Sequence, residues 1–277
     1  MKSQRTIKEP ATISGIGLQT GFKVNLTLRP GPANSGISFT RTDLPNKPSL
    51  NLQSINLNDS SSAERRTALG LGPFQIQTTE HLLAALSGLM IDNVIVEVDN
   101  VELPGLDGSA KGFAELINKA GTVDQSAEKK YLKIDKPVWA EAKDSLIIVL
   151  PCDEFKVSYT LSYNRPGLGT QFYSIKVNEA DFINEIAPAR TFCLEEEAAE
   201  LLKRGLGKGA DYNNTLVMGK DGPIKTSLRF SDEPVRHKIL DLIGDLYILG
   251  RPIIGHVVAI KSGHGINMEL VKKLKTF

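Results

Sequence analysis

Residues 236–245 read Arg-His-Lys-Ile-Leu-Asp-Leu-Ile-Gly-Asp. His237, Asp241 and Asp245 recur at every fourth position, which on an α-helix places them on one face, one turn apart. The residues between them are mostly apolar, so much of this helix should be buried. Buried imidazole and carboxylate groups need a partner, and a metal ion is one candidate because His and Asp at this spacing can bind one cation. A surface hydrogen bond or a half-buried salt bridge is the commoner explanation of such a pair.

The composition is that of a soluble globular protein. The chain has 277 residues, of which 41% are hydrophobic and 23% charged, enough for one large domain or two ordinary ones. The net charge of +1 gives no global reason to expect nucleic acid as a partner. Cys152 and Cys193 have neither CxxC spacing nor a disulfide-rich setting, which indicates a reducing compartment.

Targeting and membrane signals are missing from the sequence. The opening MKSQRTIKEP has neither an apolar core nor a small-residue cleavage pattern, so no signal peptide is expected. The apolar stretch 246–260 is interrupted by Gly250, Arg251 and Pro252, which favours a helix end followed by a strand over a membrane span. We expect a cytoplasmic monomer without stable membrane insertion.

The two halves of the chain share an order of elements. Each half has a run of strands followed by helix, strand and helix, and the helix around His81 occupies the same place as the helix around His237. Strands in runs with helices gathered afterwards favour α+β layers in each half. The polar stretch 122–130 between the halves has the composition of a linker. If the halves face each other, the two helices can present side chains to one cleft between them, where ligand sites are common.

The local signals place the elements as follows. Strands are predicted at 24–28, 37–40, 93–98, 138–141, 146–150, 155–163, 172–177 and 256–261. Helices are predicted at 79–89, 107–121, 194–204, 233–249 and 267–275. The glycine-rich run 205–209 does not follow a strand in the dinucleotide-binding manner and is predicted to be a loop.

Three short segments outside the opening helix also carry chemistry. His81 is a candidate metal ligand with Glu80 a base beside it, although a carboxylate in the first turn of a helix followed by an ordinary histidine is the alternative. His264, flanked by glycines, lies where a strand ends and a helix begins, so a substrate can approach it closely; the alternative is a solvated loop histidine. Thr191 is a candidate donor to a developing oxyanion, with helix capping as the alternative.

Together these segments resemble the zinc-dependent UDP-3-O-acyl-N-acetylglucosamine deacetylases of lipid A biosynthesis. The matching stretches occur in family order and span nearly the whole chain: 14–18, 79–82, 102–104, 107–109, 189–192, 236–246 and 262–264. The resemblance implies an α+β fold of two similar β-α-α-β layered domains packed against each other, with the active site at their interface. Domain 1–125 would supply Glu80 and His81. Domain 131–277 would supply the rest of the site and an insert near 190–218.

The resemblance also implies roles for individual residues. His81, His237 and Asp241 correspond to the zinc ligands, and Glu80 corresponds to the general base. His264 corresponds to the residue that protonates the leaving amine, with Asp245 as its charge partner.

Three further positions correspond to groups that contact the substrate. Thr191 corresponds to the group that helps to hold the oxyanion. Lys238 falls where the family contacts substrate, through phosphate, and Phe192 where it contacts the sugar or acyl portion. The helix 194–204 and its flanks fall where the family builds an apolar passage for the acyl chain.

The implied reaction is hydrolysis of the N-acetyl group of UDP-3-O-acyl-N-acetylglucosamine. Zn²⁺ is the implied cofactor, and Fe²⁺ also accepts ligation by two histidines and an aspartate. The alternatives are a metal-dependent amidohydrolase of another acylated sugar and an inactive relative that only binds the nucleotide sugar. Two positions depart from the family pattern: Gln19 replaces a usual histidine, and Pro234 replaces an aromatic residue at a position where the first helical turn tolerates proline.

Overall fold

The computed structural model describes residues 2–57, 61–63, 66–72 and 74–277. The strands of the first half are β1 Ser3–Ile7, β2 Ala11–Ile16, β3 Lys23–Pro30, β4 Ile37–Arg41, β5 Ser49–Asn51, β6 Ser61–Ala63, β7 Arg66–Leu69, β8 Ile76–Gln77, β9 Val94–Val98 and β10 Thr122–Glu128. Those of the second half are β11 Leu132–Lys133, β12 Val138–Ala142, β13 Ser145–Leu150, β14 Phe155–Ser162, β15 Thr170–Lys176, β16 Phe192–Leu194, β17 Leu216–Met218 and β18 Ile253–Ile260.

The helices lie between and after these strands. They are α1 Glu80–Gly88, α2 Lys111–Ala120, α3 Glu179–Asp181, α4 Glu195–Lys203, α5 Glu233–Tyr247 and α6 His264–Lys275, and a π-helical turn, Phe182–Ile186, follows α3. The predicted strands and helices named above are confirmed, with ends shifted by a few residues. The last helix begins at His264, three residues before its predicted start. The run 205–209 is a loop, as predicted.

The two large sheets have the same topology. The first has the strand order β2-β3-β9-β4-β5 and the second β12-β13-β18-β14-β15, with β11 added parallel to one end of β18. The central strand is β9 in the first sheet, which follows α1, and β18 in the second, which follows α5. Strand β9 is antiparallel to β3 and parallel to β4, and β18 is antiparallel to β13 and parallel to β14. The mixed α+β class and the predicted internal duplication are confirmed.

Along the strands of each sheet, successive side chains alternate between a buried face and a more exposed face. In β3, Val24, Leu26 and Leu28 are buried while Lys23 and Asn25 are exposed. The residues of β18 alternate in the same way, with every second residue buried from the first onward. An antiparallel or mixed sheet covered by helices on one face produces this period of two.

Helices α1 and α5 pack directly against each other and form the centre of the molecule. All nine residues of α1 are buried, and α5 is buried along most of its length. A helix that is apolar on most faces must bury most of its surface. Packing against a sheet buries only one face, so each of these helices also packs against the other. Gly244 makes this contact possible, because a Cβ at that position would overlap the backbone carbonyl oxygen of Glu80.

The predicted linker is wrong. Residues 122–128 form strand β10, which pairs antiparallel with β1 at the very start of the chain. The segment is polar and mostly exposed, so its composition resembles that of a loop, but pairing with a distant strand determines its conformation. The division into domains 1–125 and 131–277 stays a prediction.

Several features of the fold have no counterpart in the predictions, among them the small sheet β6-β7-β8 and the π-helical turn. None of the helices in the described part of the chain has the length and apolar composition that crossing a membrane requires.

We predict that Gly244→Ala destabilises the protein by at least about 2 kcal/mol, because the added methyl group meets a backbone atom that cannot rotate away. Chemical denaturation followed by circular dichroism measures the free energy of unfolding. Gly112→Ala in α2 is the matched helical control, since its closest contact is the terminal methyl of Leu106, which can move. Equal stability of the two variants would contradict the proposed role of Gly244.

Candidate active site

Three of the predicted site residues converge between α1 and α5. One nitrogen of His81, one nitrogen of His237 and one oxygen of Asp241 lie within 4.8 Å of one another, and all three residues are buried. The Asp241 Oδ1 atom is 3.2 Å from His237 Nε2 and 3.8 Å from His81 Nε2. Ligands of a tetrahedral zinc ion, at about 2.0–2.1 Å from the metal, lie about 3.3 Å from each other, so these donors need only small shifts to bind one.

The protonation of these groups suits a cation. The His237 Nδ1 atom lies 3.0 Å from the carbonyl oxygen of Ala189, which can only accept, so Nδ1 carries the proton and Nε2 presents its lone pair to the site. Burial lowers the pKa of His81 to about 3, which keeps its imidazole neutral. Burial would raise the pKa of Asp241, but the Lys238 ammonium beside it holds the pKa well below its usual value.

Glu80 precedes His81 as the first residue of α1 and is fully buried. Its Oε2 accepts a hydrogen bond of 3.1 Å from the backbone N–H of Thr67. Burial, with the nearby Asp241 and Asp245 carboxylates, raises the pKa of Glu80 to about 8. A carboxylate with this affinity for protons is suited to take one from water.

The turn before α1 is held by a buried carboxylate. Thr78 has a φ of +57°, which is unusual for a β-branched residue, and its hydroxyl donates to Glu102 at 2.8 Å. Glu102 also accepts from the backbone N–H groups of Gln19 and Thr20. Glu102 therefore has a structural role, because it fixes the loop 17–20 to the start of α1.

Beside the cluster, His264 pairs with Asp245. The distance from His264 Nδ1 to Asp245 Oδ2 is 2.8 Å, and His264 Nε2 lies 3.9 Å from Asp241 Oδ2, so Nε2 is directed to the cluster. Burial alone would lower the pKa of His264, but Asp245 outweighs it and raises the pKa to about 9. The imidazole is therefore a cation at neutral pH, as a proton donor requires.

The structure excludes one of the two interpretations of Thr191. The next helix, α4, has Leu194 at its N-cap, so helix capping does not explain Thr191. The backbone N–H of Thr191 donates to the carbonyl oxygen of Gly108 at 2.8 Å, which joins the two halves of the chain, and Thr191 lines the same cavity as His237. The adjacent Arg190 is turned away from the site and forms a buried ion pair with Glu233 at 2.9 Å.

Lys238 and Phe192 both border the same cavity. The Lys238 Nζ atom donates to Asp241 Oδ2 at 2.8 Å. Burial would lower the pKa of Lys238, but Asp241 raises it above its usual range. Phe192 is half-buried and stands edge-on to Tyr163, with 6.2 Å between ring centroids.

The cavity has a volume of about 790 Å³. His237, Asp241 and His264 line its polar part, and its apolar lining includes Leu18, Leu161, Ala198, Leu201, Leu202 and Val217. Helix α4 and its flanks contribute much of this apolar lining, where the insert near 190–218 was predicted to form a passage.

The structure explains how Gln19 and Pro234, the two departures from the family pattern, are accommodated. The Gln19 side chain borders the cavity, and its Oε1 accepts a hydrogen bond of 3.1 Å from the backbone N–H of Gly207, so it positions the loop 205–209 as one wall. Pro234 is buried in the first turn of α5, where the helix tolerates it as expected.

Two residues near the cluster have no counterpart in the predictions. Thr67 and Asn267 both donate to Asp245. Neither lies in a motif with metal-ligand or acid–base spacing, so only their three-dimensional contacts reveal them.

Comparison with known proteins gives the family. The family profile described as UDP-3-O-acyl N-acetylglycosamine deacetylase matches residues 4–276. The chain belongs to this family. Relatives named UDP-3-O-acyl-N-acetylglucosamine deacetylase include one from Chlamydia caviae, 44% identical over 277 residues that cover 99% of this chain and 97% of the relative.

Similar relatives occur in other bacteria. The protein of the same name from Thermodesulfovibrio yellowstonii is 43% identical over 276 residues, which cover 99% of this chain and 92% of the relative. That from Syntrophotalea carbinolica is 40% identical over 272 residues, covering 98% of this chain and 87% of the relative.

We predict that the purified protein binds about one divalent ion per chain and that His81→Ala or His237→Ala removes most of it, because two remaining ligands hold the ion weakly. Elemental analysis after dialysis measures the metal content. His256→Ala is the control, since His256 lies on β18, bonded to Ser158, outside this cluster. Full metal content in both cluster variants would contradict the site.

Proposed function

We propose that this protein hydrolyses the N-acetyl group of UDP-3-O-acyl-N-acetylglucosamine, giving the free amine and acetate, as a step of lipid A biosynthesis. The names of its relatives support this substrate. The observation that carries the chemistry is the buried cluster of His81, His237 and Asp241, with a carboxylate base and a cationic imidazole beside it.

We propose His81, His237 and Asp241 as the ligands of Zn²⁺, with Fe²⁺ able to take its place. Two neutral imidazoles and one carboxylate leave a divalent ion a net positive charge and room for further ligands. When bound, the ion supplies Lewis acidity at the amide carbonyl and makes water easier to deprotonate.

The protein's own groups move the protons. Glu80 takes a proton from water as the water oxygen bonds to the acetyl carbon. The hydroxyl of Thr191 donates a hydrogen bond to the carbonyl oxygen as negative charge develops there. His264, held by Asp245, gives its Nε2 proton to the nitrogen as the C–N bond breaks, because an amine leaves only when protonated.

The remaining groups hold the substrate. Lys238 offers a buried positive charge at the cavity, which suits a phosphate or a sugar oxygen. Phe192 presents an aromatic edge to the sugar or the start of the acyl chain. The apolar lining contributed by α4 and its flanks accepts the acyl chain, since an aliphatic chain is stabilised by removal from water.

A direct assay tests this proposal. The protein is expected to release acetate from the UDP-acyl-sugar with kcat/KM well above that for simple N-acetyl sugars, because these lack the acyl and nucleotide contacts. Equal activity on simple N-acetyl sugars would favour an amidohydrolase of broader range. Binding of the UDP-sugar with no release of acetate by the metal-loaded protein would favour a binding protein without activity.

We predict that Glu80→Gln lowers kcat by about 10²–10⁴-fold while the bound metal is retained, because the amide keeps the shape of the side chain and cannot accept the proton. Steady-state kinetics and elemental analysis measure the two quantities. Glu97→Gln, on the surface of the first sheet and paired with Arg29, is the control and should leave kcat unchanged. Wild-type kcat in Glu80→Gln would exclude Glu80 as the base.

We predict a bell-shaped dependence of kcat/KM on pH. The alkaline limb falls as pH rises through about 9, where His264 loses its proton, since only the cation can act as acid. The acidic limb falls as pH decreases because Glu80 must be ionised, and a bound dication lowers its pKa below the value of about 8 set by burial. His264→Ala should lower kcat and remove the alkaline limb. An unchanged kcat in that variant would show the assignment to be wrong.

A further inference from the structure

Thr67 lies between the proposed base and the proposed acid. It is the second residue of β7 and is fully buried. Its backbone N–H donates to Glu80 Oε2 at 3.1 Å, and its hydroxyl donates to Asp245 Oδ1 at 2.6 Å. The same hydroxyl oxygen lies 3.2 Å from His264 Nδ1. Among the residues that the structure describes, Thr67 is the one that hydrogen-bonds both to Glu80 and to the pair of Asp245 and His264.

A count of protons fixes the direction of these bonds. A threonine hydroxyl has one proton, and its short contact with the Asp245 carboxylate uses it. Towards His264 the Thr67 oxygen can therefore only accept, so the proton between them belongs to Nδ1. That proton is shared between Asp245 Oδ2 at 2.8 Å and the Thr67 oxygen at 3.2 Å. The imidazole is thus held with Nε2 directed to the cavity.

The carboxylate of Asp245 is fully enclosed by donors. Oδ1 accepts from Thr67, and Oδ2 accepts from His264 and from Asn267 Nδ2, the latter at 2.8 Å. Asp245 has no exposed surface, so water cannot replace a lost donor without entering the core. Removing the Thr67 hydroxyl leaves Oδ1 without its partner and frees the carboxylate to turn, and His264 turns with it.

We propose that Thr67 is a positioning residue for the deacetylation, which aligns the base through its backbone and the acid through its hydroxyl. This inference rests on the proposed function. It assigns the hydroxyl to the proton-delivery step, so its loss should slow turnover without weakening substrate binding.

The test compares Thr67→Val, which keeps the shape and loses the hydroxyl, with Thr67→Ser, which keeps the hydroxyl. Thr67→Val is expected to lower kcat about 10–100-fold, less than the about 10²–10⁴-fold that loss of the general acid itself would cost. The KM should change less than about twofold, and Thr67→Ser should restore most of kcat. Unchanged kcat in Thr67→Val, or no recovery in Thr67→Ser, would overturn the proposal.

A matched control separates positioning from stability. Thr6 is also buried, and its hydroxyl accepts a hydrogen bond from the backbone N–H of Gly31 at 3.0 Å, far along the chain from the site. Thr6→Val should lower the melting temperature without lowering kcat. A double variant gives a second test of positioning: in the His264→Ala background, Thr67→Val should slow turnover by less than about threefold, since both residues act on one step. A full additive loss would contradict the proposal.

A substrate-free readout distinguishes failure of this inference from failure of the proposed function. The Nδ1 proton of His264, assigned by its loss in His264→Ala, should give a slowly exchanging downfield resonance in the wild type and in Thr67→Ser. In Thr67→Val it should broaden through exchange with water. An equally sharp resonance in Thr67→Val would overturn the role of Thr67. Lack of acetate release by the metal-loaded wild type would instead overturn the proposed function.

Discussion

The close approach of α1 and α5 is the constraint on which the rest of the structure depends. Gly244 lets the backbone of α5 lie against the carbonyl of Glu80, and this contact brings His81 from one half within reach of His237 and Asp241 from the other. Neither helix holds a complete set of donors. The chemistry therefore depends on the packing of the two layers as much as on the identity of the side chains.

Burial at this contact gives each titratable group its protonation state. Removal from water raises the pKa of Glu80 and lowers that of His81, while Asp245 keeps His264 cationic. Side chains of the same type, such as His81 and His264, thus have different pKa values because their neighbours differ. The site therefore brings a neutral imidazole, a cationic imidazole and a basic carboxylate close together.

The sequence predicted the parts of this site that depend on helical periodicity or on the repeated order of elements. The spacing of His237 and Asp241 on a helix, and the repeated order of elements in the two halves, could be derived from local pattern. The contacts of Thr67 could not, because they join residues far apart in sequence through a short strand without a motif. The linker assigned to 122–130 failed for the same reason, since pairing with β1 overrides its polar composition.

The position of each central strand has a consequence for synthesis of the chain. Strand β9 completes the first sheet only after its flanking strands exist, and β10 must reach back to β1 across more than a hundred residues. Strand β18 joins both hairpins of the second sheet and ends at Ile260. A nascent chain therefore cannot complete the second sheet until residue 260 has left the ribosome, and its hairpin edges stay open to chaperones until then.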